Sequence, residues 1–185
     1  AAGRLAGGAI VRRPPFRAPH HSVSDAGLIG SSRPPMPGEA TLAHRGVLFL
    51  DELAEFRRNA LEALREPLED REIRIRRAQL SVRYPAAFQL VATMNPCPCG
   101  RYSVQNPHRC TCDLESIRRY RSRISGPLLD RIDMHVEVLP VSAEDLAGPP
   151  GESSEVVRGR VLEARGRMAK RLARFPQIGA ARVNA

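Results

Sequence analysis

The run Val47-Leu48-Phe49-Leu50 leads directly into two adjacent carboxylates, Asp51 and Glu52. A short apolar run, with Arg45-Gly46 before it and a polar helical pattern after it, fits a strand buried on both faces of a parallel sheet. Such sheets place their ligands outside the carboxyl ends of the strands, so both carboxylates would stand at the ligand edge. There Asp51 is a candidate Mg²⁺ ligand and Glu52 a candidate base, polarising a water for attack on a γ-phosphate. A core strand followed by an N-capping Asp matches the same six residues. The second chemical group is Cys97, Cys99, Cys110 and Cys112, two C-x-C pairs that hold every cysteine of the chain. In a cytosolic protein such pairs suggest four thiolates around one structural Zn²⁺ rather than disulfides. Gly100, Asn106 and Pro107 suit a small knuckle, His108 is an alternative ligand, and free structural thiols match the spacing too.

The 185 residues suffice for one domain with a proper core and a small appendage. No apolar stretch is long enough to span a bilayer and no signal peptide is apparent, so a cytoplasmic protein without a membrane partner is expected. A formal net charge of +9 suggests a polyanionic partner such as nucleic acid. The charge is almost entirely arginine, with Lys170 the only lysine, so it speaks to function only where arginines concentrate on one element. Trp is absent and aromatics are few, which argues against stacking platforms of the single-strand-binding type. A phosphate-cradling loop G-x-x-x-x-G-K-[ST] is missing, since Gly3, Gly7 and Gly8 precede no lysine. If Asp51-Glu52 is a Walker B pair, that loop is expected before residue 1, and the 185 residues alone are expected to lack ATPase activity.

Residues 12–38 are broken by Pro, Gly, Ser and His, including Pro19-His20-His21, and forbid long regular structure. A short helix over Glu39 to His44 feeds the Val47 to Leu50 strand. Phe56, Leu61, Leu64 and Leu68 mark an amphipathic helix over Arg57 to Asp70, with Glu62, Arg65, Glu66 and Glu69 on its polar face and Pro67 bending or ending it. Glu72 to Arg76 and Leu80 to Tyr84 alternate around Arg77-Ala78-Gln79, a β-hairpin that puts Arg74, Arg76 and Arg83 on one type of face. That face is either an ordinary solvated one or a nucleic-acid contact. Phe88 to Asn95 reads as a second buried strand that brings Asn95 to the ligand edge. Ile117 to Arg131 is helical and basic, and Met134 to Leu139 is a third strand candidate. Residues 147–151 read as linker, and Ser154 to Phe175 as a long helix.

GVLFLDE, TMNP and LLDRID, in that order, resemble the Walker B, sensor 1 and arginine-finger elements of an AAA+ ATPase. RAPHHSVSDAGLIG, PGEATLAHRG, REPLEDREIRIRRAQLSVRYPAAFQLVATMNPCPCG and LLDRIDMHVEV narrow the likeness to the magnesium-chelatase-like AAA+ family. It spans roughly residues 12–175, and the CPCG continuation with its second C-x-C pair points to the branch found in bacterial competence. The fold implied is α/β, a partial P-loop NTPase core with a parallel sheet flanked by helices, a hairpin insert, a Cys-rich knuckle and the start of a helical lid. Residues 1–140 would form the core, 141–152 a linker and 153–185 the lid, with a second sensor arginine beyond Ala185.

By that resemblance Asp51 binds Mg-ATP, Glu52 is the base, Asn95 orients the attacking water and Arg131 reaches a neighbouring subunit's nucleotide. The hairpin would line the pore of a hexameric homo-oligomeric ring, turning Arg74, Arg76 and Arg83 towards single-stranded or branched DNA. The resemblance implies ATP, Mg²⁺ and a structural Zn²⁺, and a helicase that promotes branch migration during integration of transforming DNA. Two other readings stand beside it. One is a chelatase-type ATPase subunit that remodels a protein partner. The other is a non-catalytic, zinc-stabilised nucleic-acid-binding module.

Overall fold

The Pro, Gly and Ser residues that crowd the start of the chain cut it into short pieces. A computed structural model describes residues 13–77, 80–103, 109–139, 141 and 143–175. β1 (Phe16–Arg17) is followed by α1 (Asp25–Ile29), a small hairpin of β2 (Gly30–Ser32) and β3 (Pro35–Pro37), and α2 (Glu39–Leu42). Ser24 starts α1 by accepting the Gly27 N–H at 3.0 Å, satisfying one of the donors a helix start leaves unpaired.

β4 (Val47–Leu50) is the centre of a three-stranded parallel sheet in the order β1-β4-β7, where β7 is Gln89–Ala92. Val47 pairs with Phe16 on one side and Gln89 on the other, which sets all three strands running to one edge. Gly46 is required here, because a Cβ would stand 1.9 Å from the Pro15 carbonyl oxygen. Leu48 and Leu50 are fully buried, while Val47 and Phe49 are only half-buried. β4 is thus sealed on one face, not both. Its other face stacks Phe49 on Phe16, itself 64% exposed. The sealed face meets Leu28, Ala60, Leu61, Leu64, Ile117, Tyr120 and Leu128 in one core, where each buried Leu contributes roughly 1.5–3 kcal/mol relative to exposure. β7 is also less buried than its apolar sequence suggests. It is the outer strand of the described sheet, and Val91 is 42% exposed.

After Glu52 a 3₁₀ turn (Leu53–Glu55) leads to α3 (Arg58–Ala63) and α4 (Arg65–Asp70). The single helix expected over Arg57 to Asp70 breaks at Leu64, three residues before Pro67. Pro67 lacks the N–H that would bond the Ala63 carbonyl, and its ring crowds that carbonyl. A break one turn earlier places it in a helix's first turn, where its missing N–H costs nothing. Arg71, in the left-handed region at φ 58°, ends α4 and turns the chain into the antiparallel hairpin of β5 (Glu72–Arg77) and β6 (Leu80–Pro85). Ala78 and Gln79 lie outside the described residues.

α5 (Leu114–Arg121) is capped by Asp113, which accepts the Ser116 N–H, and α6 (Gly126–Leu129) by Ser125, which accepts the Leu128 N–H. These caps split the expected basic helix in two. Met134 to Leu139 forms no strand. A strand exists only through a paired neighbour, and this segment has none among the described residues, so Met134, Val136 and Val138 are 77–85% exposed.

The chain divides into two compact units, residues 1–135 and 136–185. The second holds α7 (Ala143–Ala147) and α8 (Ser154–Arg174), the latter capped by Ser153 and laced by ion pairs such as Glu163–Arg167. No described helix is long and apolar enough to cross a membrane.

One partly buried contact makes stability depend on acid. His44 Nδ1 accepts the Ala87 N–H at 3.1 Å, and burial, then the Arg45 charge, hold its pKa below the ordinary 6.5. The unfolded imidazole takes up a proton near 6.5 while the folded one resists. Stability is therefore full above that value and falls as the pH drops through it towards the lower folded value. Melting curves between pH 7.5 and 5.5 should show this fall, and His44→Gln should flatten it; an equally steep fall in the variant places the acid sensitivity elsewhere.

Candidate nucleotide site and cysteine cluster

Asp51 and Glu52 leave β4 at the carboxyl edge of the sheet, both exposed. Glu52 takes a left-handed conformation, φ 55° and ψ 53°, which swings the chain out of the strand and into the 3₁₀ turn. Thr93, just past β7, holds this corner. Its hydroxyl donates to Asp51 Oδ1 and accepts the Glu52 N–H at 3.0 Å, while its carbonyl accepts the Leu53 N–H at 2.8 Å. One side chain thus fixes the carboxylate of one acidic residue and the backbone of the next. His21 adds a basic neighbour, with Nδ1 3.4 Å from Glu52 Oε2 and its ring edge-on to Phe56. Sequence reasoning missed both. Thr93 and His21 lie 42 and 31 positions from their acidic partners, and only the parallel pairing of β1 and β7 with β4 brings them near. A hydroxyl ending a strand beside a known carboxylate strand was the available signal for Thr93.

Asn95 is exposed three residues beyond β7, its carboxamide facing Gly100, where an added Cβ would meet Oδ1 at 3.7 Å. Arg131 follows α6 and engages Glu69 on α4 and the Pro127 carbonyl rather than the carboxylate pair. In the hairpin, Arg74 and Arg83 stand directly opposite each other, and Arg76 pairs with Ser81. Arg74 lies between two carboxylates, 2.6 Å from Glu72 and 3.1 Å from Asp70, and these raise its pKa, the Glu72 hydrogen bond most. Arg83 is exposed.

The four cysteine sulfurs converge within 4.8 Å of one another. Cys97 Sγ lies 3.4 Å from Cys99 Sγ and 3.7 Å from Cys110 Sγ, and the Cys99–Cys110 separation is 3.7 Å. Disulfide sulfurs are bonded at about 2.05 Å. Four sulfurs at about 2.3 Å from a central Zn²⁺ stand about 3.8 Å apart along tetrahedral edges, close to these distances. The thiols resist sharing negative charge among themselves. Backbone hydrogen bonds from Thr111 and then Arg101 draw Cys99 down to about 5. Cys112 gains a backbone hydrogen bond at Cys99 that lowers it, but burial and the other sulfurs outweigh this and push it up to about 12. A dication held by the four sulfurs would reverse that opposition, because a coordinated thiol ionises outright. His108 lies outside the described residues. The knuckle is tied to α5, since Arg121 donates to the Pro96 carbonyl at 3.2 Å and its guanidinium sits over Tyr102 at 5.2 Å.

A three-stranded parallel sheet packed against helices, with adjacent carboxylates at its ligand edge, places the chain in the α/β class. Residues 1–146 match the family described as magnesium chelatase, subunit ChlI, and the chain belongs to this magnesium-chelatase-like AAA+ family. It is 50% identical over 163 residues to YifB of Escherichia coli, covering 86% of this chain and 31% of that protein. It is 52% identical over 153 residues to the competence protein ComM of Haemophilus influenzae, covering 82% of this chain and 30% of that one. The chain thus spans about a third of the length of the curated relatives it matches. NtrX from Brucella abortus, solved in complex with ADP, overlays on 64% of this chain and 23% of its own at 18% identity, with a TM-score of 0.42.

Proposed function

We propose that the chain is the Walker B, sensor 1 and arginine-finger portion of a hexameric ATPase motor that acts on DNA, promoting branch migration during the integration of transforming DNA. The observation that carries the catalytic part is the corner at Thr93, which holds Asp51 and Glu52 together at the sheet's ligand edge. Asp51 would hold Mg²⁺ with ATP, and the ion would neutralise charge developing on the phosphate oxygens. Glu52 accepts the proton of the attacking water, Asn95 orients that water, and Arg131 serves a neighbouring subunit's site. Cys97, Cys99, Cys110 and Cys112 hold a structural Zn²⁺ that fixes the segment leaving Asn95. The likeness to a competence protein supports the DNA-directed reading.

The hairpin supplies the test of the substrate. Replacing Arg74, Arg76 and Arg83 together in the full-length protein should weaken DNA binding and reduce the slope of log affinity against log salt by about one for each phosphate left without its arginine. Arg83→Ala should carry more of this than Arg74→Ala, because Glu72 and Asp70 already compensate Arg74. That same compensation favours a second reading, a motor that remodels a protein partner as a chelatase subunit would. A salt slope unchanged in the triple variant decides for it.

A further inference from the structure

We propose, building on the arginine-finger reading of Arg131, that Glu69 is the positioning residue of that finger. The polar face of α4 divides its work. Asp70, with Glu72 just beyond the helix, turns to Arg74, whereas Glu69 turns away and takes the Arg131 guanidinium. Arg131 Nη2 donates to Glu69 Oε1, Nη1 donates to the Pro127 carbonyl, and Nε is enclosed with no acceptor among the described residues. The Arg131 side chain is 22% exposed and that of Glu69 55% exposed, so this is a surface seat for a cation rather than a buried ion pair of the core. Such pairs contribute little to folding. What the seat does is remove rotamer freedom from a long side chain, which otherwise loses it each time the guanidinium meets a phosphate. The Pro127 carbonyl and Glu69 engage one N–H on each Nη, and each Nη carries a second N–H that remains to meet an acceptor. Glu69 therefore presents Arg131 without locking it away. Because both residues belong to one subunit, the effect of Glu69 is felt at the neighbour's nucleotide.

The test uses the full-length assembled protein and compares Glu69→Ala, Glu69→Gln, Arg131→Ala and the Glu69→Ala/Arg131→Ala double variant. Glu69→Ala should lower kcat about tenfold with KM for ATP and Tm unchanged, as expected for a misplaced catalytic group. Glu69→Gln, which keeps an acceptor oxygen, should recover part of that loss. The double variant should be no slower than Arg131→Ala. Mixing Glu69→Ala subunits with Glu52→Gln subunits, which carry intact Glu69 and Arg131, should restore activity at the shared interfaces. A normal kcat in Glu69→Ala beside an inactive Arg131→Ala overturns the positioning role and leaves the finger standing. Full activity in Arg131→Ala overturns the finger itself and the proposal with it. A loss of kcat that tracks a fall in Tm, or that adds to the Arg131→Ala loss, assigns Glu69 a structural or separate role.

Discussion

Glu52→Gln in the full-length protein should cut ATP hydrolysis by about 10²–10⁴-fold, or about 3–5 kcal/mol of transition-state stabilisation, while ATP binding persists. Besides the base, the substitution removes only the negative charge that faces His21 at 3.4 Å on an exposed corner. Glutamine has the same shape, meets the same left-handed backbone, and keeps the N–H that Thr93 accepts. Asp51 retains its hydrogen bond to the Thr93 hydroxyl, so a metal-nucleotide complex would still find its ligand. Proton acceptance from the attacking water is lost, together with the charge facing His21. Steady-state hydrolysis alongside nucleotide binding by filtration or fluorescence separates these two steps. Near-normal turnover would remove Glu52 from the chemistry and reduce the corner at Thr93 to a structural turn.

The second large effect belongs to the cysteines. Protein purified without added metal should contain about one zinc per chain, and Cys97→Ser should lose it. Metal binding to thiolate knuckles is coupled to folding, with apparent free energies of about 10–16 kcal/mol in zinc-finger peptides. Cys97 is fully buried, and its carbonyl accepts the Gly100 N–H at 3.0 Å in the turn beside Asn95. Losing the metal should therefore loosen the segment between β7 and α5, read as faster amide exchange there and as thiols that become titratable. Hydrolysis should fall with it, since Asn95 stands on that segment. Elemental analysis that finds no zinc, with four reactive thiols in the native protein, would be decisive against the site.

What could be read from the sequence was what depends on neighbours in the chain. The Val47 to Leu50 strand, the alternating hairpin around residues 78 and 79, and the long α8 each carry their own periodicity and punctuation, and each stands within a residue or two of its expected bounds. Structure that depends on distant partners was not legible in that way. Met134 to Leu139 alternates like a strand, but alternation supplies no neighbour to pair with. The Phe49 side of β4 reads as buried because the residue is apolar, and nothing in four residues says how many layers cover a sheet. Pro67 was legible as a disturbance but not as the reason for a break at Leu64. In the candidate site, the residue types that do chemistry were visible and those that hold them were not. Thr93, His21 and Glu69 are ordinary residues until the fold sets each against a charged group tens of positions away.

On the role proposed for Glu52, its left-handed backbone sets activity against thermal endurance. A side chain in that region costs about 1–2 kcal/mol that glycine would not. The position thus bears a standing penalty to keep a carboxylate where the strand ends. Selection for melting temperature alone would favour glycine at 52, at the expense of the base proposed there. Any scheme to harden this molecule by relieving unfavourable backbone geometry should pass over that one corner.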